Sequence, residues 1–340
     1  MNIETDAPAP PSEKTRFGWI GVAKLAVTGA LLGALLARTP ASEVLQRVTA
    51  VDSGSLIVAT GLLLLAVLAL SVRWHSVLQQ FGASAGMVAT MRYTLIGGFF
   101  NQVLPSGMGG DVFRVWYARR FGLSTGRALA SVVVDRLFGL FAISAIVTAG
   151  VPFVLWMNAP GPVVAAAAAA VALLATGLVL FLSLDTFERP LERALQHLVS
   201  GPLRANALRG VAGAAWSARS SRAMLRAWPR GAIAIAISVA CQLLVSFVVF
   251  LLLRSMGQPV ALVTVLFLFP FVQLLSMLPI SFAGWGLREG AMVVAFRLAG
   301  VPAEAALGAS ILFGLCLLTS SLPGAVIWLG QRRHSGVRAS

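Results

Sequence analysis

Long apolar stretches dominate this sequence and decide what it can fold into. Six of them, each about 20 residues long, run over residues 17–37, 55–72, 127–150, 162–184, 231–253 and 303–329. A helix of about 20 apolar residues crosses a hydrocarbon core about 30 Å thick. A membrane β-barrel would instead alternate in hydropathy over segments of about ten residues. The sequence therefore predicts an all-α integral membrane protein, a polytopic helical bundle.

The composition agrees with a membrane protein. Hydrophobic residues make up 58% of the chain and charged residues 11%, whereas soluble domains carry about 25% charged residues. A water-soluble fold is therefore excluded. The formal net charge is +14, but the basic residues lie between the apolar stretches, as the positive-inside rule describes. We expect anionic lipid headgroups, and not nucleic acid, as the partners of these basic residues.

The sequence shows no sign of catalytic or metal chemistry. Its two cysteines lie inside apolar stretches and its three histidines are far apart, so we predict no disulfide, no metal site and no cofactor. It has no P-loop and no convincing Ser-His-Asp set. We therefore assign no catalytic residues and do not expect an enzyme.

The arginines set the expected topology. Segment 185–230 is the richest in arginine, so we place it in the cytoplasm, whereas 151–161 has no charged residue and is placed outside. Counting from these segments places both termini in the cytoplasm. We expect the membrane to be a bacterial cytoplasmic (inner) membrane. The resulting domains are a tail at 1–16, a transmembrane domain at 17–330 and a tail at 331–340.

Two parts of this topology have a second interpretation. The first apolar stretch follows basic residues as a signal peptide would, but no small-x-small cleavage site precedes Arg38, so we interpret it as a retained helix. Segment 185–230 mixes leucines with its arginines. This pattern fits either an interfacial amphipathic helix pair or a solvated loop.

Two segments, 83–111 and 258–302, must each return to the side from which they started. Each contains a Leu-Pro pair, at Pro105 and Pro279, followed by glycines and by an arginine nine residues after the proline. Proline and glycine break helices and free backbone groups that can bind a headgroup. We predict two re-entrant or broken hairpins that enter from opposite faces and form an inverted repeat. A chance similarity and a kinked packing motif are the alternatives.

Three carboxylates lie in apolar surroundings, where a charge is costly and is a functional candidate by default. They are Asp111, Asp135 and Glu289, and their neighbouring arginines are Arg114, Arg136 and Arg288. Because a guanidinium offers paired donors to phosphate, Arg114 and Arg288 are expected to bind headgroup phosphate. Asp111 and Glu289 would orient these arginines or titrate. Asp135 with Arg136 is either an ion pair between helices or a functional pair.

These interpretations give two sets of candidate residues. The predicted substrate-binding residues are Asn101, Gln102, Pro105, Asp111, Arg114, Pro279, Arg288 and Glu289. The predicted structural or coupling residues are Asp135, Arg136, Gly109, Gly110, Gly284 and Gly286. The hydroxyls of Ser106 and Ser281 are weaker candidates for hydrogen bonds to a headgroup.

The residues around the two breaks resemble a known family. The matching residues are Asn101 through Pro105, Gly109-Gly110-Asp111 with Arg114, Asp135-Arg136, and Leu278-Pro279 through Gly284, Gly286, Arg288 and Glu289. In them the chain resembles the lysylphosphatidylglycerol synthase transmembrane region, a flippase-like family, over about residues 17–329. In full-length relatives this region translocates aminoacylated phosphatidylglycerol, and a soluble aminoacyl-transferase domain follows it. The chain resembles the flippase part alone, so the synthase activity is not expected here.

The resemblance implies a lipid transporter. The expected substrate is a phosphate-bearing lipid, either an anionic phospholipid or a lipid linked to a polyprenyl phosphate, and its tails would stay in the membrane beside a polar groove. One alternative is a membrane-embedded lipid transferase that uses Asp111 or Asp135 as a base or metal ligand. Another is a non-transporting partner subunit of a lipid- or glycan-modifying enzyme. A homo-oligomer and such an enzyme partner are both left open.

Overall fold

A computed structural model of the chain describes residues 19–104, 109–157, 160–198, 202–277, 281 and 284–336. Over these residues the protein consists of helices and short turns, without strands, which confirms the predicted all-α class. The helices are α1 (Trp19–Arg38), α2 (Ala41–Thr49), α3 (Ser53–Gln80), α4 (Met87–Val103), α5 (Gly109–Arg120), α6 (Thr125–Trp156), α7 (Gly161–Leu182), α8 (Glu188–Leu198), α9 (Pro202–Arg226), α10 (Arg230–Ser255), α11 (Leu262–Ser276), α12 (Leu287–Arg297) and α13 (Ala303–Gly336). The predicted Leu-Pro breaks at Pro105 and Pro279, with Ser106, lie outside the described residues.

Each of the six predicted apolar stretches is occupied by a helix over most of its described residues. Within the described residues, α3, α6, α10 and α13 are long and apolar enough to cross a membrane, and α1, α7 and α11 contain shorter apolar stretches. The start of α3 shows a local reason for its boundary. The Asp52 carboxylate accepts hydrogen bonds from the backbone N–H of Ser55 at 2.8 Å and from its hydroxyl at 2.6 Å, which caps the helix.

Helices α3 and α10 pack against each other as an antiparallel pair. The guanidinium of Arg73 in α3 donates to the hydroxyl of Ser238 in α10 at 2.8 Å. The thiol of Cys241, further along α10, contacts the carbonyl of Ala66, which is earlier in α3. The contacts therefore advance in opposite directions along the two helices. The end of α3 lies beside the start of α10.

The two segments predicted to turn back within the bundle, around 83–111 and 258–302, form helical hairpins, as the sequence predicts. Helices α4 and α5 pack against each other, and their outer ends meet where the backbone N–H of Ser84 donates to the carbonyl of Phe121 at 3.1 Å. Helices α11 and α12 also pack together, and the outer ends of this second hairpin, at Val260 and Val301, share one apolar cluster. The first hairpin starts from the end of α3 and the second from the end of α10. Because α3 and α10 are antiparallel, the hairpins enter the bundle from opposite ends.

The helices around the two hairpins also correspond. The order α3, α4, α5, α6 is matched by α10, α11, α12, α13, with one long helix before each hairpin and one after it. Helix α4 packs against α13 and α11 packs against α6, while each hairpin contacts the long helix that follows it. This arrangement is the one expected of an inverted repeat. The repeat itself stays a prediction.

The arginine-rich segment folds as two helices, α8 and α9, that pack against each other. Ion pairs join Glu188 to Arg219 and Asp185 to Arg222. Burial raises the pKa of Asp185, but the hydrogen bond and the charge of Arg222 outweigh it, so this pKa lies below its ordinary value. Helix α9 also packs on α6 and α10, and its Trp216 meets Phe81, the residue that follows α3, edge to face. The solvated-loop alternative is therefore wrong, and the interfacial location stays a prediction.

Candidate functional site

Five charged residues meet beside the first hairpin and form what we call the arginine cluster: Arg73, Asp111, Arg114, Asp135 and Arg136. The carboxylate of Asp135 accepts from Arg73 Nε at 2.7 Å and from an Arg114 terminal nitrogen at 2.7 Å. Arg136 donates to both carboxylate oxygens of Asp111, at 3.0 and 3.1 Å. Asp111 also lies 3.6 Å from Arg114, one turn along α5. The cluster thus joins α3, α5 and α6, and Ser238 links it to α10.

The arginine cluster carries one net positive charge, because three guanidinium groups face two carboxylates. Arg73 is 5% exposed, Arg114 7% and Asp135 2%, whereas the Arg136 side chain is half exposed. Removing a charge from water is expensive unless it is paired. Two of the positive charges are matched inside the cluster, and the remaining one can be matched by an anion from outside.

Two buried hydrogen-bond donors in this region have no partner in the part of the chain that the structure describes. They are Nε of Arg114 and the indole Nε1 of Trp74. The Arg114 guanidinium lies over the Trp74 ring, 4.3 Å from its centroid. Unpaired buried donors are rare and call for an explanation. Both are donors of the kind that phosphate oxygens accept, and both are closed off from the surface in this structure.

The first hairpin depends on the close approach of two glycines. The backbone N–H of Gly110 donates to the side-chain oxygen of Asn101 at 2.9 Å. A Cβ added to Gly110 would collide with the backbone carbonyl of Gly97 in α4, so this helix crossing needs glycine. At Gly109 an added Cβ would meet the Leu104 side chain. These contacts place Asp111 and Arg114 against α6, while the predicted contact Gln102 is half-buried on α4.

A second, smaller charged cluster joins the second hairpin to α13 and contains Arg288 and Glu289 of α12 and Ser310 of α13. Arg288 donates to Glu289 at 2.6 Å and to the hydroxyl of Ser310 at 3.1 Å, and that hydroxyl donates to Glu289 at 3.0 Å. Glu289 is fully buried and also accepts from the backbone N–H of Gly286 at 2.5 Å. Gly284 and Gly286 have positive φ values of 80° and 83°, which form the tight turn into α12. This cluster is electrically neutral.

The structure connects the predicted residues differently from their order in the sequence. Asp135 and Arg136 are adjacent in α6 but bond to different partners, because successive helix residues point about 100° apart. Asp135 instead holds three helices together through Arg73 and Arg114. The sequence analysis missed Arg73 as a site residue because this arginine follows directly after an apolar stretch and was interpreted as its end. The structure places Arg73 inside α3, seven residues before the helix ends.

An apolar cavity of about 660 Å³ lies beside the second hairpin, among α1, α6, α7, α11 and α12. Leu31, Val154, Leu174, Phe271 and Val294 are among its lining residues. Gly286 and Leu287 also line it, so the cavity comes within two residues of Arg288. An apolar cavity next to a charged cluster suits an amphipathic molecule, with its hydrocarbon part in the cavity.

Comparison with known proteins identifies one related family. The family described as the lysylphosphatidylglycerol synthase TM region matches residues 21–324, which is most of the chain. This match includes both hairpins and both charged clusters. No curated protein matches the chain.

Proposed function

Because the chain belongs to the family of the lysylphosphatidylglycerol synthase TM region, we propose that it moves a phosphate-bearing lipid across the membrane that it spans. The substrate is an anionic phospholipid or a lipid linked to a polyprenyl phosphate. The observation that carries this proposal is the arginine cluster, which combines burial, one unmatched positive charge and an unpaired donor on Arg114 that lies beside the unpaired indole of Trp74. Headgroup phosphate supplies the missing negative charge.

The arginine cluster is the first binding site for this phosphate. Asp135 accepts hydrogen bonds from Arg73 and Arg114 on one side, which leaves Nε of Arg114 for a phosphate oxygen. Asp111 holds Arg136 near the same place, where the half-exposed guanidinium can contact the headgroup. Guanidinium groups bind phosphate in this way because their donors match its geometry.

The second hairpin acts later in the transport cycle. Arg288 already bonds to Glu289, so phosphate reaches Arg288 only when the Glu289 carboxylate moves away. Such a change would release Gly286 as well, since Glu289 accepts from its N–H group. The neighbouring apolar cavity receives a hydrocarbon tail in this state. We therefore assign phosphate capture to the first hairpin and release to the second.

The transferase alternative needs a carboxylate that is free to act as a base. Asp111 and Asp135 both accept hydrogen bonds from guanidinium groups, which occupy the carboxylate oxygens that a base or a metal ligand would need. The geometry therefore favours binding and movement of the lipid over chemistry on its phosphate.

Lipid movement in proteoliposomes tests the proposal. The assay follows headgroup-labelled anionic phospholipid and a labelled polyprenyl-phosphate lipid, with and without an imposed pH difference. Wild-type protein is compared with Arg114→Gln and with Arg92→Gln, which removes an exposed arginine from α4. We expect Arg114→Gln to slow movement by about tenfold or more, because it removes a charge-assisted phosphate contact, and Arg92→Gln to leave it unchanged. The absence of movement of either lipid by folded wild-type protein under both conditions would overturn the proposal.

A further inference from the structure

Helix α10 carries a buried polar stripe on an otherwise apolar surface. Its most apolar 18-residue window has a mean hydropathy of 2.6. Ser238, Gln242 and Ser246 follow at intervals of four residues, so they lie on one face of the helix. They are 3%, 7% and 0% exposed. Polar side chains at such positions need partners, and in membrane helices they are functional candidates.

The central residue of this stripe bonds to the tip of the second hairpin. The side-chain amide of Gln242 donates to the side-chain oxygen of Gln273 in α11. Gln242 lies 12 residues after the start of α10 and 13 before its end, which is about 18–20 Å from either end. Gln273 lies three residues before the end of α11. The two amides therefore meet near the middle of the bundle.

Polar groups lead to this amide pair from both hairpins. On one side, Ser238 is one turn from Gln242, about 6 Å along the helix, and bonds to Arg73 of the arginine cluster. On the other side, the connection between α11 and α12 contains Ser281. Its hydroxyl is buried and has no partner among the described residues. The charged Arg288 and Glu289 follow in the same hairpin.

We propose that Gln242 and Gln273 form an uncharged binding station for the lipid headgroup, on its path from the arginine cluster to the second charged cluster. The inference rests on the proposed function and names the route that the headgroup takes through the bundle. Amides offer both donors and acceptors, so they satisfy phosphate oxygens and hydroxyls without a charge. Passage through a membrane requires sites that bind well enough to admit a substrate and weakly enough to release it. A neutral station between two charged ones meets that requirement.

A purely structural role makes a different prediction. In that case the hydrogen bond between the two side-chain amides holds α10 against α11, as polar side chains do between many membrane helices. Water then does not reach the pair. A headgroup station must instead admit water and must be occupied by lipid. Access of water to positions 242 and 273 therefore separates the two roles.

The chain is well suited to a cysteine-labelling test, because it has two cysteines, Cys241 and Cys316, and both can be replaced by serine. Into that background we introduce Gln242→Cys or Gln273→Cys. The matched control is Leu252→Cys, on the same helix and fully buried in the apolar core. Each protein is reconstituted into phosphatidylcholine vesicles with or without phosphatidylglycerol and treated with a small water-soluble thiol reagent.

We expect positions 242 and 273 to react on the order of tenfold faster than position 252, because thiol reactivity follows exposure, and phosphatidylglycerol to slow this reaction several-fold. Labelling as slow as at position 252, or labelling that phosphatidylglycerol does not change, would overturn the proposal of a headgroup station.

Lipid movement by the wild-type protein is measured in parallel. Movement without labelling overturns the station and leaves the proposed function standing, whereas no movement overturns both.

Discussion

Asp135 is the carboxylate on which the arginine cluster depends, so its replacement by asparagine is the sharpest test of the structure. Asp135→Asn keeps the shape of the side chain and removes its charge. Arg73 and Arg114 then lose the carboxylate that both contact at 2.7 Å. The net charge of the cluster rises from one positive charge to two.

The cost of this change follows from burial. Arg73 and Arg114 are 5% and 7% exposed, and breaking a buried ion pair by removing one partner costs about 3–5 kcal/mol. For a chain of 340 residues, the usual unfolding entropy makes 1 kcal/mol equal to roughly 1.4 °C in the midpoint temperature. Asp135→Asn should therefore lower the midpoint by roughly 4–7 °C.

A double variant sharpens the test. Arg73→Met together with Asp135→Asn removes one charge of each sign and returns the cluster to a single positive charge. We expect it to be less destabilised than the sum of the two single variants, with a coupling of about 1–3 kcal/mol.

Thermal unfolding of the purified protein in detergent measures these effects. Glu43→Gln, which changes an exposed carboxylate in α2, serves as the control and should leave the midpoint unchanged. A midpoint for Asp135→Asn within about 1 °C of the wild type, or strict additivity in the double variant, would show that the cluster is not assembled as described.

Two further predictions concern the hairpins. In Glu289→Gln the buried Arg288 guanidinium loses its carboxylate, which should lower the free energy of unfolding by about 3 kcal/mol and with it the unfolding midpoint. Glu304→Gln, whose carboxylate lies 4.0 Å from a partly exposed arginine, should leave both almost unchanged. Gly110→Ala should prevent the close crossing of α4 and α5, so that folded yield in detergent falls. Gly98→Ala, where an added Cβ meets nothing within 4 Å, should leave the yield unchanged; equal yields would refute the reasoning.

The sequence by itself determined the class of the protein, its helical stretches and the existence of two hairpins. These properties follow from hydropathy and from breaks along the chain, both of which are local. Four of the predicted stretches are helices long enough to cross a membrane within the described residues. The second hairpin, α11 with α12, lies within the predicted segment 258–302, whereas the first, α4 with α5, runs past the predicted end at 111 to Arg120. The candidate residues Arg288 and Glu289 do bond to each other, since they are adjacent and near a helix start.

The tertiary structure alone decided how the charges pair across helices. Arg73 and Asp135 are 62 residues apart in sequence, and Arg73 and Ser238 are 165 apart. No local pattern gives such pairs, because they depend on which helix faces meet when the bundle packs. The same holds for Gln242 with Gln273, which belong to different helices. In an apolar bundle a buried polar group is stable only beside a partner, so packing selects the partners, and the sequence shows only which groups need one.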